Sequence, residues 1–395
     1  MWPRSLLLYV AIILIFPLLA MGQAKEKILY SFGASSQDQE PTAGLVLDPA
    51  GNLYGITNGG GAYQQGSVFE LSPSNGGWTE SVLYSFCQMA GCPDGSFPYP
   101  GGGLILDNNG NLYGTAGGGA HGAGVVFELS PGSQGWSETV LYSFLGGNDG
   151  SAPQMPLVFD SAGNLYGTTV SGGAHTWGTA FKLMSSAGSW TETILYNFCS
   201  QPGCSDGQTP DSGLTFDSVG NLYGSTSTLV YQLALSNGNW ADSIIFKQSR
   251  HAGGSFLGGL IYVGGNLYGT AEYGGTDNYG LVYELHNTVS GWKEFEYSFD
   301  GQDGANPVSG LLKDRAGNFD GVAGSTFSCG VVYSLARKNR TVNETILHNF
   351  TGGLDGCGPI GSLAQDSSGS LYGVTLQGGT YNEGVVPGDR RAPFD

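Results

Sequence analysis

Few residues in this chain could do chemistry, and most of those recur. His121 and His175 stand at matching places in two glycine-rich loops and are the first candidates for a metal. Two imidazoles fall short of the three or four protein ligands that a zinc site uses, so no metal and no cofactor is expected. Asp-Gly pairs occur at Asp94, Asp149, Asp206, Asp303 and Asp355. Their recurrence marks them as turn formers before ligands. No short loop gathers carboxylates as a Ca2+ site does. Spacing assembles no Ser-His-Asp set, no paired catalytic carboxylates and no phosphate loop, so no catalytic residue is assigned.

Side chains that could bind a partner are those that vary between otherwise similar loops. They are Tyr63, His121, His175, Trp177, Tyr273, Asp277, Tyr279 and Tyr381. Trp78, Trp136, Trp190, Trp240 and Trp292 recur in register and read as packing residues. Trp177 stands outside that register, which makes it the better binding candidate.

Six cysteines form the pairs Cys87 and Cys92, Cys199 and Cys204, and Cys329 and Cys357. A C-x4-C spacing suits zinc poorly, and an even count in an exported chain favours disulfides. Seven residues separate Phe86 from Asp94 and Phe198 from Asp206, against four from Phe144 to Asp149. Cys87–Cys92 and Cys199–Cys204 are therefore expected to staple the two longer connections. Cys329–Cys357 is expected to join two loops of one repeat.

What must position these residues is a repeat. Gly51-Asn52-Leu53-Tyr54-Gly55 returns at Gly110, Gly163, Gly220 and Gly265, and in altered form at Gly317 and Gly369, making seven copies about fifty residues apart. A period of that length is the mark of a propeller or similar array. Each period holds four short β runs, such as Gly44 to Asp48, Asn52 to Thr57, Ser67 to Leu71 and Trp78 to Phe86. Four hairpin-linked strands make a meander, the build of one propeller blade. Solenoid coils are usually shorter and sandwich domains longer, so these architectures fit less well. The expected fold is all-β, a seven-bladed β-propeller of four-stranded meanders.

The chain ends settle the phase. A fourth-strand motif, Ile28 to Phe32, precedes every first strand, while the seventh repeat has no fourth strand of its own. The N-terminal strand is thus expected to lie antiparallel to Gly384 to Val386 and close the ring. Pro387 is expected to end that third strand, because it lacks a ladder donor. The expected organisation is a signal peptide at 1–22, a propeller at 23–386 and an irregular tail at 387–395.

Arg4 followed by the apolar run Leu6 to Ala20 reads as a secretory signal, too short to span a bilayer. The chain has 395 residues, 69 of them glycine, and a formal charge of −18. That balance argues against nucleic acid or an anionic membrane as partner. An exported, monomeric protein, periplasmic or outside the cell, is expected.

The run Gly-Leu-x-x-Asp-x-x-Gly-Asn-Leu-Tyr-Gly-Thr, then Gly-Gly, then Val-Phe-Glu-Leu-Ser and Trp-x-Glu-x-Val-Leu-Tyr-Ser-Phe, resembles the Gloeo/Verruco (GloVer) tandem repeats. The resemblance covers nearly all of residues 28 to 386 and implies an extracytoplasmic repeat protein, with no established activity. Ser130 to Trp136 is similar to the Asp-box of sialidases but lacks its defining Asp. The functional expectation is an extracellular binding or scaffold module for glycan or protein. The alternative is an enzyme that acts on extracellular polysaccharide through acidic rim residues.

Overall fold

The computed structural model describes residues 25–390, apart from 34–37, 187, 237–238, 248–257, 327 and 339–340. The signal-like segment and residues 391–395 lie outside the described residues. Seven antiparallel sheets form the seven blades of a β-propeller. Blade one runs through Val46–Leu47, Leu53–Gly60, Ser67–Ser74 and Gly77–Ser85, each strand paired with the next. The alternation along Ser67 to Leu71 presents both faces of the sheet to neighbouring blades, so Val68, Phe69 and Leu71 are all fully buried.

The first strand is short because the chain bulges towards the preceding blade just before it. Asp38–Pro41 and Val46–Leu47 both pair with the second strand of blade one. Between them Gly44 passes so close to blade seven that a Cβ would sit 2.5 Å from the Ser362 carbonyl oxygen. Hydroxyls tie adjacent blades at this level. Thr168 Oγ1 donates to the Ser212 carbonyl at 3.4 Å, and Thr270 Oγ1 donates to the Ser309 carbonyl at 2.9 Å.

Packing between blades follows one rule. The Phe that ends a fourth strand meets, edge to face, the aromatic of the next blade's third strand. Phe86 meets Phe127, Phe144 meets Phe181, Phe198 meets Tyr231 and Phe299 meets Tyr333, with centroids 5.0–5.2 Å apart. Such pairs add to the burial itself. Phe32 meets Phe69 in the same way, so the N-terminal strand is the outer strand of blade seven.

The ring closes as expected, with Lys25–Ser31 antiparallel to Val385–Arg390. The third strand of blade seven differs from the expectation, however, because it continues through Pro387 to Arg390. Its ladder to the second strand pairs Val385 with Thr375 and Tyr372 with Gly388, and Pro387 lies in the gap between these pairs. A missing donor there interrupts the ladder without ending it. Pro387 does leave the aromatic position empty. A cavity of about 30 Å3 remains, lined by Phe350, Leu363, Gly373 and Pro387 among others. The apolar cluster between blades six and seven centres on Val322, Leu363 and Leu371, with the buried Phe350 beside the cavity.

All three cysteine pairs are disulfides, with Cα separations of 4.1, 4.1 and 4.5 Å for Cys87–Cys92, Cys199–Cys204 and Cys329–Cys357. The first two fall just below the usual range and the third at its short end. Cys329–Cys357 joins the second-to-third loop of blade six to the first strand of blade seven, so it links two blades and not two loops of one repeat.

Candidate functional site

Two sets of loops build one rim. The turn from second to third strand reverses on glycines, and Gly66 N–H donates to the Gly60 carbonyl at 3.1 Å. Phe86 and Phe97, from the connection to the next blade, then donate backbone N–H groups to the carbonyls of Gly66 and Gln65. The binding candidates sit on these loops in different blades. Tyr63, Trp177, Tyr273 and Tyr381 are 41–52% exposed, and His121, His175 and Asp277 are also exposed. Tyr279 is half-buried against Gly301, where its ring holds a connection in place. The rim is shared, but the side chains are distributed around it and do not converge on one point of chemistry. Among the described residues, no group of three or more His, Cys, Asp or Glu could hold a metal.

Tyr63 also lines an open groove between blades one and two. Tyr84, Gln88, Trp136 and Glu138 line it with Tyr63, around a volume of about 520 Å3. At its base, Tyr84 Oη donates to Asp94 Oδ2 at 2.8 Å, and the Gln88 N–H donates to the same oxygen. Tyr142 with Asp149, Tyr196 with Asp206 and Tyr297 with Asp303 repeat the contact at 3.0, 2.7 and 2.6 Å. The Asp-Gly pairs therefore cap the connections and anchor the outer strands.

Each such Asp also faces a second carboxyl that the sequence reading passed over. Glu138, Glu192, Asp242 and Glu344 occupy the position two residues after the fourth-strand Trp, or after Val342 in blade six. Burial, reinforced by the facing carboxylate of Asp94, Asp149 or Asp206, pushes Glu138, Glu192 and Asp242 up to about 7. Burial does the same to Glu344, against the pull of a hydrogen bond from Tyr297 and with a smaller push from Asp303. Glu294 reaches about 7 through burial and its neighbour Glu296. A raised acid beside a second carboxyl has the form of a glycosidase pair. Here it occurs in one groove after another, and repetition points to a structural seam rather than one active centre.

These seams set a pH dependence. The folded chain keeps protons on the raised carboxyls that the unfolded chain releases from about pH 4, so stability falls as pH climbs towards 7. The turn aspartates act in the opposite sense. Burial alone would raise Asp107, Asp160 and Asp217, but the amides of Asn111, Asn164 and Asn221 outweigh it and lower them. Their contribution is complete above the ordinary carboxylate range and is lost as pH falls through it. The melting temperature is expected to peak near pH 5 and to be about 5 °C lower at pH 8. Calorimetry across this range checks it, and a flat or rising profile would contradict the assignment.

The GNLYG turn has its own anchor. Asp48 Oδ1 accepts the Asn52 backbone N–H at 2.8 Å, while Oδ2 accepts the Asn52 side-chain amide and the Tyr54 hydroxyl. Asp107, Asp160 and Asp217 repeat the arrangement. Blade five departs from it: Val263 replaces the Asp, and Glu284 from the third strand accepts from Asn266 and Tyr268 instead.

Seven four-stranded meanders closed by their own N-terminal strand define the molecule as a β-propeller, and the repeat narrows the class. The Gloeobacter/Verrucomicrobia repeat family model matches residues 14–229 and 226–387, and the chain belongs to that family. No curated protein matches it. Solved structures resemble it in fold. A Bacteroides uniformis protein described as a 6-phosphogluconolactonase is 11% identical, with a TM-score of 0.53 over 84% of this chain and 88% of its own. The periplasmic gluconolactonase PpgL of Pseudomonas aeruginosa is 15% identical, with a TM-score of 0.52 over 78% and 85%. At such identities the likeness is one of architecture alone.

Proposed function

We propose that this protein is an exported propeller that binds extracellular glycan through its loop rim. The observation that carries the reading is the set of four half-exposed aromatics, Tyr63, Trp177, Tyr273 and Tyr381, held on one rim by a rigid ring. Tyr and Trp offer flat apolar faces with a polar tip, and such faces suit sugar rings. Three disulfides fit an oxidising compartment, and a charge of −18 disfavours anionic partners. No helix among the described residues is long and apolar enough to cross a membrane.

A glycan array on the purified protein tests the reading. Trp177→Ala and Tyr273→Ala are expected to weaken the strongest signal roughly tenfold each, with the melting temperature unchanged. Unaltered binding in both variants would move the site away from the rim. A parallel assay for new reducing ends decides against the enzymatic alternative if no product forms.

A further inference from the structure

We infer that the cleft between blades five and six is a second, separate binding site that takes a neutral sugar ring. Its volume is about 430 Å3, within the range of small-ligand pockets. At other blade interfaces this space is occupied. Trp78 packs on Tyr372, Trp136 on Tyr54 and Trp292 on Tyr223, with centroids 6.0–6.1 Å apart. Blade six carries Val342 where blades one to five carry Trp, and its hairpin partner is Arg337. Tyr268 of blade five therefore has no indole above it and instead stacks on Phe319 at 4.2 Å.

Further departures from the repeat reach the same cleft from the other side. The fourth strand of blade five is one residue shorter than those of blades one to four and six, and it pairs without the bulge found in them. The loss brings Phe295 opposite Glu284 and puts Glu296 opposite Tyr283, where blade one pairs Phe69 with Val82. The Val263 substitution leaves Glu284 as the turn's acceptor, and Arg337 reaches across from blade six to pair with it. Here changes in two consecutive repeats converge on one interface, open it and furnish it.

The furnishings define the ligand. Phe295 is half-exposed on the wall, under the Arg337 guanidinium at 5.4 Å, and the stacked Tyr268 and Phe319 form the base. These are flat apolar surfaces. Arg337, its charge balanced by the buried Glu284, offers donors, and the exposed Glu296 offers an acceptor. An anion would meet Glu284, Glu296 and the strong negative charge of the whole chain. A cation would have to displace the guanidinium that already lies over Phe295. A ring with one apolar face and a rim of uncharged hydroxyls satisfies both surfaces without either conflict.

The test uses the protein with cellotriose, xylotriose, maltotriose and N,N′-diacetylchitobiose, and with glucuronate and choline as charged comparators, by calorimetry or ligand-observed NMR. At least one neutral sugar is expected to bind, and Val342→Trp, which restores the repeat and fills the cleft, is expected to weaken it at least roughly tenfold. Phe295→Ala on the opposite wall is expected to do likewise, which keeps the test valid if the tryptophan variant folds poorly. Trp177→Ala should leave this binding unchanged, so failure of the rim reading and failure of this one are distinguishable. Absence of binding by every neutral sugar, binding indifferent to both cleft variants, or a cleft-dependent preference for glucuronate or choline would each overturn the inference.

Discussion

Deleting residues 23–33 should lower the melting temperature by more than about 5 °C, or leave no cooperative fold at all. The strand that would be lost completes blade seven along six paired residues of Val385–Arg390. Phe32 is fully buried against Phe69 of blade one, so the same deletion also opens the contact between the first and last blades. Val385 and Val386, both fully buried, would become an exposed edge. Blade seven is otherwise tied to blade six by a small apolar cluster and the Cys329–Cys357 disulfide, neither of which replaces the lost strand. The point variant Phe32→Ala isolates the packing part and should cost about 3–5 kcal/mol. Thermal and urea unfolding of both variants checks this. Full-length stability in the deletion would mean that the strand does not close the ring. Amide exchange offers a milder test, with Ile28 to Ser31 expected to exchange faster than Val82 to Ser85.

The second large effect separates two glycines that the repeat treats as equivalent. Gly55→Ala should destabilise by about 3 kcal/mol, whereas Gly373→Ala should be near neutral. A Cβ at Gly55 would lie 2.4 Å from Phe69 Cζ and 2.8 Å from its Cε1, inside a fully buried ring that has nowhere to move. The last glycine of the motif is thus the floor on which the third-strand aromatic rests. Gly114 and Gly167 bear Phe127 and Phe181 in the same way. Gly373 bears nothing equivalent, because Pro387 stands in the aromatic's place, and its Cβ would meet only the end of Leu363 at 3.0 Å. Adding a methyl there also removes freedom from the unfolded chain, which offsets a small adjustment of that leucine. Equal costs at both positions would refute this account of the motif.

Much of the architecture was legible in the sequence because the propeller is built from a local code repeated seven times. Strand alternation and the Asp-x-x-Gly-Asn turn act over short stretches of chain, and the terminal aromatic recurs with them, so each copy restates the same instructions. The stray motif at Ile28 to Phe32 even disclosed the closure, since a fourth strand without a blade must complete another. The disulfides were legible for a related reason, as the loops that needed staples were those that had lengthened.

What the sequence could not disclose depends on neighbouring repeats meeting in space. Glu138 and Asp94 are 44 residues apart, and only the packing of blade two on blade one brings their charges together and raises one of them. Pro387 read as the end of a strand, but a ladder that continues on both sides of a proline keeps the strand intact. Val263, Glu284, Phe295, Arg337 and Val342 each look like an isolated departure along the chain. The ring folds them onto the two walls of one cleft. A repeat encodes its own blade, whereas the grooves between blades are made by pairs of repeats, and that juxtaposition exists only in the tertiary structure.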